Sequence, residues 1–483
     1  MSGFRTLHRI TNDEGSTDSP VWRVKFSPCR SSPSSSLRLL AAGASNTIKC
    51  YSLSDRTDKD VNSNDVLDAS AMNVTCTESL ISRDDHQRKD SASNNTAVLG
   101  YAALDVVRNY CGADDTAGNE VVMASKLGGH VCVWVRLDPV LKEKGVVVAE
   151  DINNGETSSS TIQLCRKPYA EFNVPTATGT TLAIRPPTLG NYYSKKETEI
   201  LVAMGCANGA VVICKSGILA SKPGDNGITR SASSSGGGGA VVGDTDGDDT
   251  VVMNITSFNN TAENDNNDNS DSPGEMIATV GGGHACVMSL AWHPTIPNTF
   301  VVGRKDGIVD IYSAHTTSND YYYGHEGLTF RRIHRLVHSS FPIRALSYSM
   351  PQGELLFAGD DDGKLYSYDT SMALPSSETS ESFKVASPVK LVACALAAHK
   401  GWIMNLCAFP DGNRVATCGS DKSVRVWDCG MGLASCTPVH SFDGANEGWL
   451  WGVDCSSGAV GSARQKLVSC GNDGSMQVFS CSE

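Results

Sequence analysis

The chain has 483 residues, a formal net charge of −13, 40% hydrophobic residues and 17 cysteines. A surface with that excess of negative charge repels phosphate backbones, so no direct nucleic acid binding is expected. No apolar run approaches the length of a membrane span, and residues 1–10, with Arg5, His8 and Arg9, lack a signal-peptide core, so the expectation is a soluble intracellular protein.

In chain order, 4–10 comes first and reads as a strand with no unit of its own. Seven strand candidates follow, at 21–27, 97–105, 181–185, 286–293, 343–349, 403–409 and 450–455. Each leads into a hairpin: 37–53, 120–135, 199–215, 298–313, 354–369, 413–428 and 465–480. The apolar residues of these hairpins recur with a period near two. The clearest turns carry Asp-Gly, Asp-Lys or Asn-Asp-Gly, residues that tolerate positive backbone angles. Outer-strand candidates appear at 330–337, 391–398 and 439–442. Four-stranded units repeated about an axis are propeller blades. The predicted fold is therefore an all-β, seven-bladed β-propeller.

The predicted blades run approximately 21–53, 97–137, 163–215, 276–314, 336–370, 391–429 and 439–483, with 4–10 closing the seventh and thereby removing exposed sheet edges. Hairpin ends lie 52 to 98 residues apart, longer than the roughly 40–45 of a typical repeat. The excess falls in 54–96, 138–162 and 216–275, polar stretches expected to be disordered loop insertions; 244–275 holds nine acidic residues and no Lys or Arg. Sequons at Asn73, Asn94, Asn254 and Asn259 fall in or beside these stretches and are read as chance matches. Cysteines such as Cys132, Cys407, Cys418 and Cys470 lie within apolar runs and are read as reduced core fillers.

The segment 398–428 starts with Ala-His and ends with Trp-Asp, and it resembles the WD-repeat family. That resemblance implies a structural tetrad of His399, Thr417, Asp421 and Trp427, in which buried polar groups satisfy one another. Elsewhere only fragments of the pattern remain: His338 and Asp362 with Ala358 in the unit ending at Tyr368, and His284 and Asp306 in the unit ending at Tyr312. Those blades are expected to rely more on apolar packing.

A narrower resemblance covers 336–483. It rests on Phe-Pro-Ile-Arg-Ala-Leu at 341–346, His-Lys-Gly-Trp-Ile-Met-Asn-Leu at 399–406, Ser-Asp-Lys-Ser-Val-Arg-Val-Trp-Asp at 420–428, Leu-Trp-Gly-Val-Asp at 450–454 and Gly-Asn-Asp-Gly-Ser-Met-Gln-Val-Phe at 471–479. These phrases are similar to the WD-repeat subunit of the superkiller (Ski) complex, shared with the Paf complex in animals and plants. The resemblance implies a scaffold, monomeric within a hetero-complex, beside a helicase subunit and a tetratricopeptide-repeat subunit. Its expected work is to support exosome-mediated 3′ to 5′ mRNA decay in the cytoplasm and transcription elongation in the nucleus. The insertions and the divergent first half depart from that family's compact propellers.

Loops entering the innermost strands of a propeller line one rim of its channel. Trp22, Arg23, Phe341, Arg344, Trp402, Asn405, Trp449 and Trp451 occupy such positions, and aromatic residues and Arg are the usual anchors of interfaces. The alternative for Trp22 and Trp451 is packing between blades. No phosphate loop, HExxH zinc motif or nucleophile elbow occurs, so neither catalysis nor a cofactor or metal is expected. Asp244, Asp246 and Asp248 with Gly247 loosely resemble a calcium loop, which needs ligands at alternating positions and a closing Glu, and are read instead as part of an Asp-rich disordered stretch. Arg331, Arg332, His334 and Arg335 form a basic cluster on an outer strand, where charge discourages edge pairing. The rival scaffold roles on the same fold are a ubiquitin-ligase substrate receptor and a trafficking adaptor.

Overall fold

Alternation of apolar residues dictates strands throughout the chain, and runs apolar on both faces become central strands. Leu355–Asp360, Arg414–Gly419 and Lys466–Gly471 are buried at every position, whereas the outer strand Thr437–Phe442 is mostly exposed. The computed structural model describes residues 3–10, 19–28, 37–45, 47–55, 72–82, 100–110, 118–126, 128–136, 147–148, 164–166, 168–174, 179–186, 199–219, 252–253, 273–282, 285–296, 298–315, 329–371, 388–430, 435–456 and 465–482.

Seven antiparallel sheets form the blades, each running from an innermost strand outward. Blade 1 comprises Val21–Phe26, Leu37–Gly43, Thr47–Asp55 and Met72–Ile81; blade 2 comprises Tyr101–Tyr110, Gly118–Lys126, His130–Arg136 and Ala170–Asn173. Blade 3 comprises Gly179–Ile184, Glu199–Cys206, Ala210–Leu219 and Met276–Gly281; blade 4 comprises Val287–Trp292, Thr299–Arg304, Val309–His315 and Thr329–Leu336. Blade 5 comprises Ile343–Tyr348, Leu355–Asp360, Leu365–Asp369 and Lys390–Ala395; blade 6 comprises Ile403–Ala408, Arg414–Gly419, Val424–Asp428 and Thr437–Phe442. Blade 7 comprises Leu450–Cys455, Lys466–Gly471, Met476–Ser482 and, as its outer strand, Gly3–Ile10. That N-terminal strand pairs antiparallel with the C-terminal one from Gly3 opposite Ser482 to Ile10 opposite Met476, tying the two ends of the chain into one sheet.

The innermost strands touch in a closed ring, blade 7 meeting blade 1. The core is correspondingly divided into seven apolar clusters, one between each pair of neighbours. Blades stand so close that a Cβ on Gly303 or Gly359 would lie 2.7 or 2.6 Å from the Ile343 or Ile403 side chain of the next blade, which fixes glycine there. Polar contacts join the same seams: Ser289 Oγ donates to the Ile343 carbonyl at 2.8 Å, and the amide of Phe26 donates to Asp454 Oδ2 at 2.7 Å.

The seven-bladed all-β architecture expected from the hairpins is the architecture found. Several boundaries differ. Residues 72–81, within the stretch 54–96 assigned to an insertion, form the outer strand of blade 1, because Met72, Val74 and Cys76 alternate with polar neighbours and supply an apolar face. The predicted third blade, 163–215, is divided: Leu164–Arg166 runs parallel to that outer strand of blade 1, Ala170–Asn173 completes blade 2, and blade 3 starts at Gly179. The second insertion contributes Val147–Val148, which pairs with Val252–Met253 of the third. Blade 3 also claims Met276–Gly281 from the predicted fourth blade, and Lys390–Ala395 and Thr437–Phe442 likewise belong to the preceding sheet. In these three places sequence unit and sheet are thus offset by one strand, which anchors the predicted fourth, sixth and seventh units in two neighbouring blades each. Apart from 54–55, 82, 216–219 and 273–275, the rest of the three insertions lies outside the described residues.

Candidate protein-interaction site

Blade 6 contains the complete polar brace. Asp421 can only accept when ionised, so His399 Nδ1 carries the proton and donates to Asp421 Oδ1 at 2.9 Å. His399 Nε2 then accepts from Thr417 Oγ1 at 2.7 Å, and Trp427 Nε1 donates to that same hydroxyl at 3.0 Å. Burial lowers the His399 pKa and keeps the imidazole neutral. Burial opposes the charge on Asp421, but hydrogen bonds from His399, the Lys400 amide and Ser423 outweigh it and hold the carboxyl below its usual range. His399 is 3% exposed and both ring nitrogens are engaged, so the pair is a brace with no lone pair to offer a substrate.

This brace fixes the rim beside it. The Trp402 amide donates to Ser420 Oγ in the braced turn, at 2.9 Å, and its indole remains 38% exposed. Arg344 of blade 5 lays its guanidinium over the Trp402 ring, 4.8 Å from the centroid, while forming a bidentate pair with Asp361. On the other side Trp402 meets Trp449 edge-on at 5.5 Å, and Trp449, 44% exposed, meets Trp451 at 6.3 Å. Arg23 of blade 1 continues the string by donating to the carbonyls of Trp22 and Trp451 at 3.0 and 3.1 Å.

The structure therefore links Arg23, Arg344, Trp402, Trp449 and Trp451 across blades 5, 6, 7 and 1, with Trp22 joining only through its carbonyl and Trp451 half-buried against the apolar cluster between blades 6 and 7, the packing alternative named for it. Phe341, 42% exposed, is on the same rim but contacts Lys364 at 6.0 Å rather than the string. Asn405 stands half-buried on the inner strand of blade 6, two residues inside the rim. The string is partly pre-paid in conformational entropy, since each ring is held by a neighbour before any ligand arrives, and rigid aromatic surface of this kind anchors interfaces.

The other blades do not simply substitute apolar packing for the missing tetrad. In blade 4, Asp306 is exposed and only caps its turn through the Ile308 amide, whereas the brace is a buried charge cluster. Arg304, fully buried, donates to Asp310 Oδ2 at 3.0 Å, to Tyr312 Oη and to the Gly209 carbonyl of blade 3, and Arg335 grips Asp310 from the outer strand. In blade 5, Asp362 is exposed and pairs with Lys364, and His338 packs on the Tyr368 ring. The buried acid is Asp360, which accepts from Ser339 and Tyr366 at 2.7 and 2.9 Å. Blade 7 uses an amide: Asn446 donates to Asp473 and Ser475 and accepts from Ser469. His284 lies outside the described residues. A polar residue at the end of the second strand with another six positions later, Arg304 with Asp310 and Asp360 with Tyr366, was the available signal.

Within the predicted basic cluster, Arg335 is hydrogen-bonded to Asp310 and Arg332 Nε lies 3.9 Å from the same carboxylate, and Arg331 is exposed on that outer strand. Cys132, Cys407, Cys418 and Cys470 are free, buried thiols within strands.

Comparison with known proteins gives three findings. Residues 390–428 match the family described as WD domain, G-beta repeat. A stretch of 155 residues, 32% of the chain, is 28% identical to actin-interacting protein 1 of Drosophila melanogaster; it spans 21% of that protein's length. The WD40 β-propeller domain of Doa1, a solved structure, superposes with a TM-score of 0.50 at 10% identity over 99% of this chain and 98% of that one, a likeness of fold alone. The chain thus carries one segment that matches the WD domain, G-beta repeat family, in the blade that holds the tetrad, within a fold of seven sheets closed into a β-propeller.

Proposed function

We propose that this propeller is a non-catalytic scaffold that docks partner proteins on the aromatic rim from Arg344 to Trp451, and that it serves as the propeller subunit of a Ski-type complex supporting 3′ to 5′ mRNA decay. The observation that carries the docking role is the pre-assembled Arg344–Trp402–Trp449–Trp451 string, in which Trp402 and Trp449 are exposed yet held in place. The Ski-type assignment is supported by the order of the phrases at 341–346, 399–406, 420–428, 450–454 and 471–479. Its partners would be a tetratricopeptide-repeat scaffold and a helicase, with Paf-type subunits in the nucleus, and the chain would work in cytoplasm and nucleus. Affinity purification of the full chain followed by mass spectrometry tests the assignment. Co-recovery of a helicase and a tetratricopeptide subunit is expected; a cullin with its adaptor, or trafficking coat proteins, in their place would overturn it.

A second reading, actin binding, is favoured by the local similarity to actin-interacting protein 1. Co-sedimentation with actin filaments separates the two, the scaffold reading predicting that the protein stays in the supernatant.

A further inference from the structure

Blade 2 carries a cluster that the scaffold role does not use. His130 and Cys132 alternate onto one face of the third strand, and Glu171 stands opposite Cys132 on the outer strand. Cys132 Sγ lies 3.5 Å from Glu171 Oε1, His130 Nε2 lies 3.9 Å from the same oxygen, and the three donor atoms all lie within 4.8 Å of one another. Tetrahedral zinc with bonds of about 2.0 Å to nitrogen and oxygen and about 2.3 Å to sulfur separates its ligand atoms by roughly 3.3–3.6 Å. The cluster is therefore within a small side-chain adjustment of that geometry.

A further feature points to a cation. His130 Nδ1 bonds Asn173 Oδ1 at 3.0 Å, and because an amide oxygen can only accept, Nδ1 carries the proton. In the neutral ring this leaves the Nε2 lone pair turned toward the cluster, the outer support typical of metal-bound histidine. Nε2 is buried, and no hydrogen-bond partner reaches it. Cys132 occupies the strand position that holds Asp310 in blade 4, and Glu171 pairs with it as Arg335 pairs with Asp310, so the fold keeps a polar cluster at this point of the blade.

We propose that His130, Cys132 and Glu171 form a zinc site, with a water in the fourth position on the side where His130 and Glu171 are 18% and 11% exposed. Binding displaces the thiol proton of Cys132, and the neutral His130, the thiolate and the carboxylate together balance the divalent charge.

The test uses the reduced, chelator-treated full chain titrated with Co²⁺ and then Zn²⁺. The expected result is one equivalent of Co²⁺ showing a thiolate charge-transfer band and tetrahedral ligand-field bands, both displaced by Zn²⁺. The bands disappear in Cys132→Ser, His130→Gln and Glu171→Gln and persist in Cys76→Ser, which controls for other thiols. Asn173→Leu weakens binding by about 10-fold or more. Circular dichroism confirms folding, and Glu171→Gln, nearly isosteric, keeps the test valid if the Cys132 variant does not fold. Absence of stoichiometric binding to wild type, or bands retained in both His130→Gln and Glu171→Gln, overturns the site.

Discussion

Blades 6 and 4 meet the same mechanical demand with opposite chemistry. Both must lock a turn between their second and third strands against the loop that enters the blade. Blade 6 does so with a neutral relay from Trp427 through Thr417 and His399 to a single carboxylate at Asp421. Blade 4 buries a full guanidinium at Arg304 and neutralises it with Asp310. A relay of this kind exposes each member to the loss of one hydrogen bond, whereas the charge cluster exposes Arg304 to the loss of its counter-ion. Propeller blades are thus interchangeable in shape but not in how they fail.

The largest effect should come from Asp310→Ala. Removing one partner of a buried ion pair costs about 3–5 kcal/mol because the other charge stays desolvated, and urea denaturation should show that loss. In blade 6, Thr417→Val strands the Trp427 N–H and removes the hydrogen bond to His399, for an expected cost of about 1–3 kcal/mol. Equal losses in the two variants would erase the distinction between the braces.

The seam between blades 4 and 5 adds a pH dependence. His293 Nδ1 accepts from the Thr295 and Ile296 amides at 3.2 and 2.9 Å, and Nε2 donates to the Gly353 carbonyl at 3.2 Å, so only the neutral ring fits. Burial lowers its pKa from 6.5 to about 4. The unfolded chain therefore binds this proton first as pH falls. Stability contributed by the neutral ring is intact above pH 6.5 and is lost progressively down to about 4. The loss is up to ~3 kcal/mol, and His399, also lowered, acts in the same direction. His293→Gln should flatten the denaturation midpoint over that window; an unchanged slope would mean that His293 does not hold the seam.

The smallest stability effect belongs to the rim. Trp402 is 38% exposed, and Trp402→Ala should cost less than about 1 kcal/mol in thermal denaturation. A larger cost would assign the indole to packing rather than to docking.

How far the sequence reveals each element depends on the range of the interactions that form it. The blade-6 tetrad combines four residue types at fixed spacing within one hairpin and its entry loop, so His399, Thr417, Asp421 and Trp427 are recognisable from the sequence alone. Arg304 and Asp310 are not, because charged residues flanking Lys-Asp-Gly read as an ordinary solvated turn until the outer strand with Arg335 covers them. The outer strand of blade 1 is hidden in a polar stretch, and that of blade 2 is only four residues long. On the rim, each aromatic residue is visible singly. Their continuity depends on blade-to-blade spacing, which local patterning does not encode.

If the Arg344–Trp402–Trp449–Trp451 string docks partners, the propeller beneath it should stay intact when docking is lost. The decisive measurement is a quantitative pull-down with the full chain carrying Phe341→Ala and Trp402→Ala together, beside wild type and with matched thermal denaturation. Partner recovery should collapse while the melting temperature holds. Unchanged recovery would contradict docking on this rim.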